Sequence, residues 1–172
     1  MPTTSNRLLR LLKHRWLDER DVKRAFDAAA LARIEQRVAA SEKRHSGEIR
    51  VCVEAGLPNS YIWQRLTARD RAITMFGKLR VWDTEADNGV LIYLLLAEHA
   101  IEVVADRGLN RHVAHDQWQA IVDGMRAAFR AGRFEEGLNA AVDAVDALLA
   151  QHFPAAAGDA NPNELPNAPF LI

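Results

Sequence analysis

Acidic side chains alternate in a short loop that precedes the most apolar stretch of the chain. They are Asp83, Glu85 and Asp87, and Asn88 follows directly. Carboxylate and amide oxygens are the ligands that Ca²⁺ and Mg²⁺ prefer in proteins. The loop therefore predicts a divalent-cation site in which the three carboxylates are metal ligands and Asn88 is a further binding residue.

A second polar segment, Asp106-Arg107-Gly108, ends the strand that is predicted next along the chain. In a β-hairpin the start of the first strand lies beside the end of the second, so Asp87 and Asn88 are expected close to Asp106. Asp106 then joins the metal ligands. An ion held there would polarise a phosphate oxygen as a Lewis acid, and Arg107 would pair with a second oxygen of the same group. Gly108 completes the predicted binding residues.

A structural interpretation of the same residues competes with the binding site. Asp-Asn-Gly is a favourable tight-turn sequence, because Asn and Gly accept positive φ angles. Gly108 is explained by backbone shape alone, and Asp106 with Arg107 is explained as a solvated turn pair. Both interpretations stay open on the sequence.

Three strands follow from the hydrophobic pattern. Residues 48–54 alternate between apolar and polar side chains, which predicts a strand with one face on a helix layer and the other less completely buried. Residues 90–96 are almost entirely apolar, which predicts a central strand covered on both faces. Residues 101–105 form the third strand, paired with the second as a hairpin.

Helical periodicity covers residues 27–44, 60–79, a stretch around 118–129 that Gly132 ends, and 134–152. The second of these is expected to turn one apolar side inward, formed by Ile62, Leu66, Ile73 and Phe76. The order helix–strand–helix–strand–strand–helix–helix favours an α/β protein, a three-layer α/β/α sandwich around a small mixed β-sheet.

Other residues of chemically capable types carry weaker signals. His112 and His115 lie three apart and would share a helix face as zinc ligands do, but no third ligand has a recognisable spacing. Cys52 has no paired histidine signal and is expected to be a half-buried inert thiol. Trp82 precedes the acidic loop and is a candidate wall for a cleft.

Four local patterns carry a family resemblance. They are Ser-Gly-Glu-Ile-Arg-Val at 46–51, Asp-Asn-Gly-Val-Leu-Ile-Tyr at 87–93, Ile-Glu-Val-Val-Ala-Asp-Arg-Gly-Leu at 101–109, and Phe-Arg-Ala-Gly-Arg-Phe at 129–134 with Gly137. In this order they resemble two strands, a Gly-Leu segment and a helix junction of the TPM domain family. The resemblance covers residues 31–153 and implies a Rossmann-like TPM fold.

The resemblance implies several functions. The family includes thylakoid-lumen proteins tied to photosystem II repair, an auxiliary protein of acetylcholine receptors, members described as acid phosphatases, and members that bind calcium or related divalent ions. Many bacterial relatives are secreted or membrane anchored, and their association with LemA-type membrane proteins implies a LemA-like partner here. This chain departs from the family in having Asp-Arg-Gly-Leu at 106–109, where many relatives have Gly-x-Gly-Leu.

The N-terminal residues bear on location. Residues 6–15, NRLLRLLKHR, contain no apolar run of signal-peptide type, and the longest apolar run, 90–97, is too short to span a bilayer. These features predict a cytoplasmic protein, with peripheral contact with the inner membrane as an extension of that prediction. Residues 7–15 fit a basic amphipathic helix, which either packs on the domain or touches a membrane surface.

Length and composition limit the domain organisation and the classes of partner that the chain can have. The chain has 172 residues, 49% hydrophobic and 26% charged, which fits one folded domain. The predicted organisation is an N-terminal basic helical extension at 1–26, a TPM-like domain at 27–153, and a Pro-rich extended tail at 154–172 whose end docks on the body. The single cysteine excludes an internal disulfide. A net charge of −1 gives no indication of a nucleic-acid partner.

Two functions from different classes remain on the sequence. The first is a non-catalytic binding or adaptor domain that binds a divalent metal and takes part in membrane or envelope protein maintenance. The alternative is a divalent-metal-dependent acid phosphatase of broad specificity, in which Asp87 and Asp106 hold Ca²⁺ or Mg²⁺ and water attacks the phosphate. No catalytic nucleophile is assigned, because the sequence contains no P-loop, nucleophile elbow, Cys-x-x-Cys pair or dinucleotide fingerprint.

Overall fold

The computed structural model describes residues 4–17, 19–155 and 163–172. Its elements, in chain order, are α1 (Thr4–Trp16), α2 (Glu19–Ala25), α3 (Ala28–Ser41), β1 (Ile49–Glu54), α4 (Asn59–Trp63), α5 (Ala68–Lys78), β2 (Val90–Leu95), a 3₁₀ turn (Leu96–Glu98), β3 (Ala100–Ala105), α6 (Arg107–Asn110), α7 (His115–Arg130), α8 (Phe134–His152) and β4 (Phe170–Leu171).

The four strands form one mixed sheet in the order β3-β2-β1-β4. β1 runs parallel to β2, with Ile49 opposite Val90. β2 and β3 are antiparallel, with Val90 opposite Ala105, so the predicted hairpin is confirmed. Its turn contains His99 in the left-handed region, at φ 49°, which lets the chain reverse after the 3₁₀ turn.

Helices cover both faces of this sheet, which confirms the three-layer α/β/α sandwich. One face packs on α2, α3, α7 and α8 and forms the larger core, while the other packs on α4, α5 and Leu165. Alternate residues of the strands supply the two cores: Ile92 faces the first and Tyr93 the second. Burial of apolar area on both sides is the main stabilising term for such an arrangement.

The expectation that one face of β1 would be less buried is wrong. All six residues of β1 are buried, including Arg50 and Glu54. The alternating pattern shows which side chains of β1 are polar, but it does not show whether they are exposed. In this protein the polar side chains of β1 have partners in the interior. Arg50 donates to the carbonyls of Pro166 and Ala168 in the C-terminal segment.

The single helix predicted for residues 60–79 is also wrong, because the chain forms α4 and α5 there. Arg65 adopts φ 60° between them, and Thr67 begins α5 with a reciprocal capping box to Asp70. The buried side of α5 differs from the expected one as well. Ile73 is 53% exposed, whereas Arg71 is only 6% exposed, and its guanidinium pairs with the buried Glu54 of β1.

The remaining helices follow the sequence pattern closely. Asp27 caps α3 by accepting the Ala30 N–H at 2.7 Å. Gly132, at φ 73°, follows α7 and ends it as predicted. Four apolar residues of α8 are fully buried; they are Leu138, Val142, Val145 and Leu149.

The C-terminal segment adds a strand that periodicity alone does not predict. Phe170 and Leu171 form β4 in parallel with β1, and Ile172 donates its N–H to Val53 O at 2.9 Å. The predicted docking of this end is therefore confirmed for residues 163–172. Residues 156–162 of the predicted extended tail lie outside the described residues.

Candidate functional site

The β2–β3 hairpin brings the acidic loop and the Asp106 segment together through the main chain. Asp106 donates its N–H to Gly89 O at 2.9 Å, and Gly108 donates to Asp87 O at 2.9 Å. We call this place, formed by residues 83–89 and 106–108, the rim. It lies where β2 begins and β3 ends, at one edge of the sheet.

Asp106 is the most constrained carboxylate of the rim. It is 7% exposed, and its Oδ1 accepts the Arg107 N–H at 2.6 Å, capping α6. Oδ2 is buried and accepts no hydrogen bond from the described residues. A buried carboxylate oxygen without a donor is costly and uncommon in folded proteins.

Asn88 presents a second buried oxygen of this kind. The residue is fully buried, its N–H donates to Thr84 Oγ1 at 3.1 Å, and its Nδ2 donates to Ser46 Oγ at 3.3 Å. Its amide oxygen has no donor within the described part of the chain. The rim therefore holds two buried oxygens whose hydrogen-bonding capacity is unused.

The other predicted metal ligands diverge. Asp83 pairs with Arg80. Glu85 is exposed, and its N–H donates to the Glu164 carboxylate at 3.2 Å. Asp87 is exposed with its backbone at φ 51°. Across residues 4–17, 19–155 and 163–172, no three His, Cys, Asp or Glu side chains are placed to hold a metal ion together. The hairpin thus brings together the chain segments that carry the four predicted carboxylates, but the side chains do not form one ligand cluster.

The predicted binding residues Arg107 and Gly108 have distinct roles. Arg107 is exposed beside Asp106, so its guanidinium is accessible from solvent. A Cβ added to Gly108 would lie 2.5 Å from Asp87 O and 2.7 Å from Ala86 O. This close backbone approach explains the glycine without a ligand. Trp82 is 50% exposed.

The positions of the two histidines and the burial of the cysteine decide the remaining candidate residues. His112 lies in the link between α6 and α7, where its ring stacks on His152 with centroids 5.2 Å apart. His115 begins α7. The expectation that His112 and His115 share a helix face is therefore wrong. Cys52 is fully buried rather than half-buried. Burial raises the pKa of its thiol to about 12, which leaves it protonated and inert.

Two buried glutamates near the rim were not singled out by the sequence. Glu48 is fully buried, and its carboxylate accepts the N–H groups of Glu164 and Leu165, each at 3.2 Å. Glu42 is 8% exposed and accepts the Ile49 N–H at 3.3 Å. Burial, together with the neighbouring charge of Glu48, raises the pKa of Glu42 to about 8. No local pattern marks them, because the tail segment that covers Glu48 lies more than a hundred residues away.

Comparison with known proteins agrees with this architecture. The sequence model of the TPM domain family matches residues 20–148, and the chain therefore belongs to the TPM domain family. The NMR structure of the BA42 protein from the psychrophilic bacterium Bizionia argentinensis is similar, with a TM-score of 0.74 and 29% identity over 85% of this chain and 94% of that chain.

A second solved structure shares the fold. The N-terminal domain of a protein from P. gingivalis has a TM-score of 0.61 and 21% identity, covering 77% of this chain and 83% of that chain. No curated protein matches the sequence. The family resemblance is confirmed by these comparisons, while the division into residues 1–26, 27–153 and 154–172 stays a prediction.

Proposed function

We propose that the chain is a non-catalytic binding module whose rim binds a divalent cation, Ca²⁺ or Mg²⁺, through Asp106. The observation that carries the proposal is the buried Oδ2 of Asp106, which has no donor among the described residues. A hard cation at this oxygen would offset the cost of removing it from water.

The surroundings of Asp106 suit this assignment. Its Oδ1 is engaged in capping α6, which orients the carboxylate and leaves Oδ2 as the free ligand atom. Asp87 is tied to the same place by the hydrogen bond from Gly108, and its exposed carboxylate supplies a second hard oxygen. Asp83 and Glu85 are then charges at the periphery, and the amide oxygen of Asn88 is a further acceptor.

The binding assignment is preferred over catalysis because the rim holds no assigned nucleophile. Cys52, the one thiol of the sequence, is closed off by burial and by its raised pKa. Hydrolysis would then need a water activated by the bound ion. Binding requires only the ligand oxygens.

The test is a titration of the protein with Ca²⁺ and with Mg²⁺, followed by backbone NMR. We expect signals of residues 83–89 and 106–108 to move, and Asp106→Asn to weaken binding at least about tenfold by removing the ligand charge. Asp27→Asn is the matched control, because Asp27 also caps a helix but stands at the start of α3 and not at the rim. No movement of rim signals at millimolar cation would refute the proposal.

Phosphatase activity is the alternative, and the exposed Arg107 beside Asp106 is the observation that favours it. Hydrolysis of an aryl phosphate that depends on the cation and disappears in both Asp87→Asn and Asp106→Asn would establish it. Activity that survives both substitutions would come from another source. Arg107→Gln would lower phosphate turnover and leave cation binding unchanged, which separates the two functions.

An adaptor role in membrane or envelope protein maintenance, with a LemA-like membrane protein as partner, extends the binding proposal. It is supported only by membership of the family. Co-purification of a membrane protein with the tagged chain, lost in Asp106→Asn and kept in Asp27→Asn, is the expected result. Recovery of the same proteins by all three chains would count against the adaptor role.

A further inference from the structure

Helix α1 is attached to the domain by one side. Arg10 Nε donates to Glu98 Oε1 at 2.6 Å, and Arg10 Nη2 donates to Leu66 O at 3.0 Å. Four residues later, His14 is 4% exposed and its Nδ1 accepts the Leu57 N–H at 2.9 Å. Its Nε2 therefore carries the proton and donates it to Glu98 Oε1 at 2.9 Å. These contacts fix the rotation of α1 about its own axis.

The opposite side of α1 carries an apolar stripe. Leu9 is 62% exposed, Leu12 46% and Trp16 82%, and their spacing of three and four residues aligns them along the helix. Lys13 and Arg15 are exposed on either side of this stripe. The whole helix contains no acidic residue.

We propose that this outer side of α1 rests on an anionic membrane surface. Leu9, Leu12 and Trp16 would enter the headgroup region, and Lys13 and Arg15 would pair with lipid phosphates. A large exposed tryptophan next to basic side chains is the composition that the membrane–water boundary favours. The net charge of the chain is only −1, so the attraction to anionic lipid is local to α1.

Size favours lipid over a protein partner. A stable protein interface buries about 1,200–2,000 Å² in total. α1 has 13 residues, a length of about 20 Å, and its stripe consists of three side chains. Such a stripe is narrow for a protein interface and sufficient for a helix lying in the plane of a bilayer surface. Among the described helices, none is long and apolar enough to cross a membrane.

The position of α1 sets the orientation of the domain on the membrane. α1 is bonded to Leu57, which follows β1, and to Glu98, which follows β2. The rim lies at the other end of these strands, where β2 begins. Six-residue strands separate the two ends by about 20 Å. The rim would thus face the aqueous phase, and membrane binding does not depend on the proposed cation site.

The test is co-sedimentation of the full chain with vesicles of phosphatidylcholine alone and of phosphatidylcholine mixed with phosphatidylglycerol. We expect binding to the mixed vesicles that weakens as salt is raised. Trp16→Ala should lower the partition coefficient about tenfold. Lys13→Gln combined with Arg15→Gln should lower it by about ten- to thirtyfold and remove the preference for phosphatidylglycerol.

Trp82→Ala is the matched control, since Trp82 is 50% exposed and lies at the rim end of the sheet; its partition should equal that of the unchanged chain. Absence of binding to both vesicles would overturn the proposal, as would equal binding by Trp16→Ala. Light scattering adds a further outcome. A dimer that Trp16→Ala converts to a monomer would assign the stripe to a second copy of the chain and overturn the lipid assignment.

Discussion

Arg71 and Glu54 form a two-pronged ion pair in the interior, between α5 and β1. Arg71 Nε lies 2.8 Å from Glu54 Oε2, and Nη2 lies 2.8 Å from Oε1. Tyr93 completes the network by donating its hydroxyl to Glu54 Oε2 at 2.7 Å. Burial alone would lower the pKa of Arg71, but the hydrogen bond with Glu54 raises it, so the guanidinium stays charged.

Removal of Arg71 should destabilise the protein strongly. Arg71→Ala leaves the Glu54 carboxylate buried without its counter-ion, and we expect the free energy of unfolding to fall by about 3–5 kcal/mol. Arg69→Ala is the control on the same helix, because Arg69 makes a partly exposed pair with Glu102 at 3.5 Å and should cost about 1 kcal/mol or less. Urea unfolding followed by circular dichroism measures both. Equal losses in the two variants would contradict the prediction.

Stability should depend on pH through Glu42. Its pKa is about 8 in the folded protein against 4.5 ordinarily, so the folded state holds the proton more tightly than the unfolded state. The stabilising contribution is complete below pH 4.5, falls as pH rises and is lost above pH 8.

A neutral substitution at this position tests that dependence. Glu42→Gln should be more stable than the unchanged chain above pH 8 by up to about 5 kcal/mol, and its stability should vary less with pH. Part of the slope should remain, because burial also raises the pKa of Glu48. Glu136→Gln, at an exposed position of α8, is the control for removing one negative charge. Urea unfolding across a pH series provides the measurement, and parallel curves for Glu42→Gln and the unchanged chain would disprove the assignment.

Two glycines should respond in opposite directions to alanine. A Cβ at Gly89 would lie 1.9 Å from Val81 O, so Gly89→Ala must displace backbone and should cost about 2–4 kcal/mol. Gly124 lies within α7 with nothing within 4 Å of an added Cβ, so Gly124→Ala should stabilise by about 0.5–1 kcal/mol. Thermal unfolding of both variants checks the signs. A Gly89→Ala protein as stable as the unchanged chain would show that the Val81 segment moves freely.

Loss of the C-terminal strand should promote self-association. Without residues 163–172, the edge of β1 is unpaired, and an open strand edge is a template for another chain. We expect the shortened protein to form dimers or larger species at concentrations where the full chain is monodisperse. Leu171→Asp tests the same contact at full length, because Leu171 packs against the larger core. Size-exclusion chromatography with light scattering would detect the species, and unchanged monodispersity of both proteins would argue against the prediction.

The fold is predictable from sequence wherever burial follows apolar periodicity. The strands β1, β2 and β3 and the helices α3, α7 and α8 come from local patterns that tertiary packing reinforces. The errors about burial occur where a polar side chain is buried. Arg71 lies on the buried side of α5 because it pairs with Glu54 of β1, and no local pattern reports a partner on another element.

The candidate site, too, is predictable in its backbone and not in its side chains. That Asp87 lies near Asp106 follows from the hairpin, since strand pairing sets which backbone segments meet. The directions of the side chains do not follow. Asp83 turns to Arg80, and the Glu85 N–H is engaged by Glu164. These choices depend on side-chain rotamers and on the distant tail, which hydrophobic patterning does not report.

The pairing of β4 with β1 has a consequence for the order of folding. Arg50 and Ala168, which hydrogen-bond in the folded protein, are 118 residues apart along the chain, so their contact closes one of the longest loops in the molecule. Long-range contacts form late, because closing a long loop costs entropy before the contacts that it brings together can offset that cost. During synthesis and refolding, β1 should pass through a period as an open edge. The yield of native protein should therefore fall as refolding concentration rises, since intermolecular pairing competes with the arrival of residues 163–172.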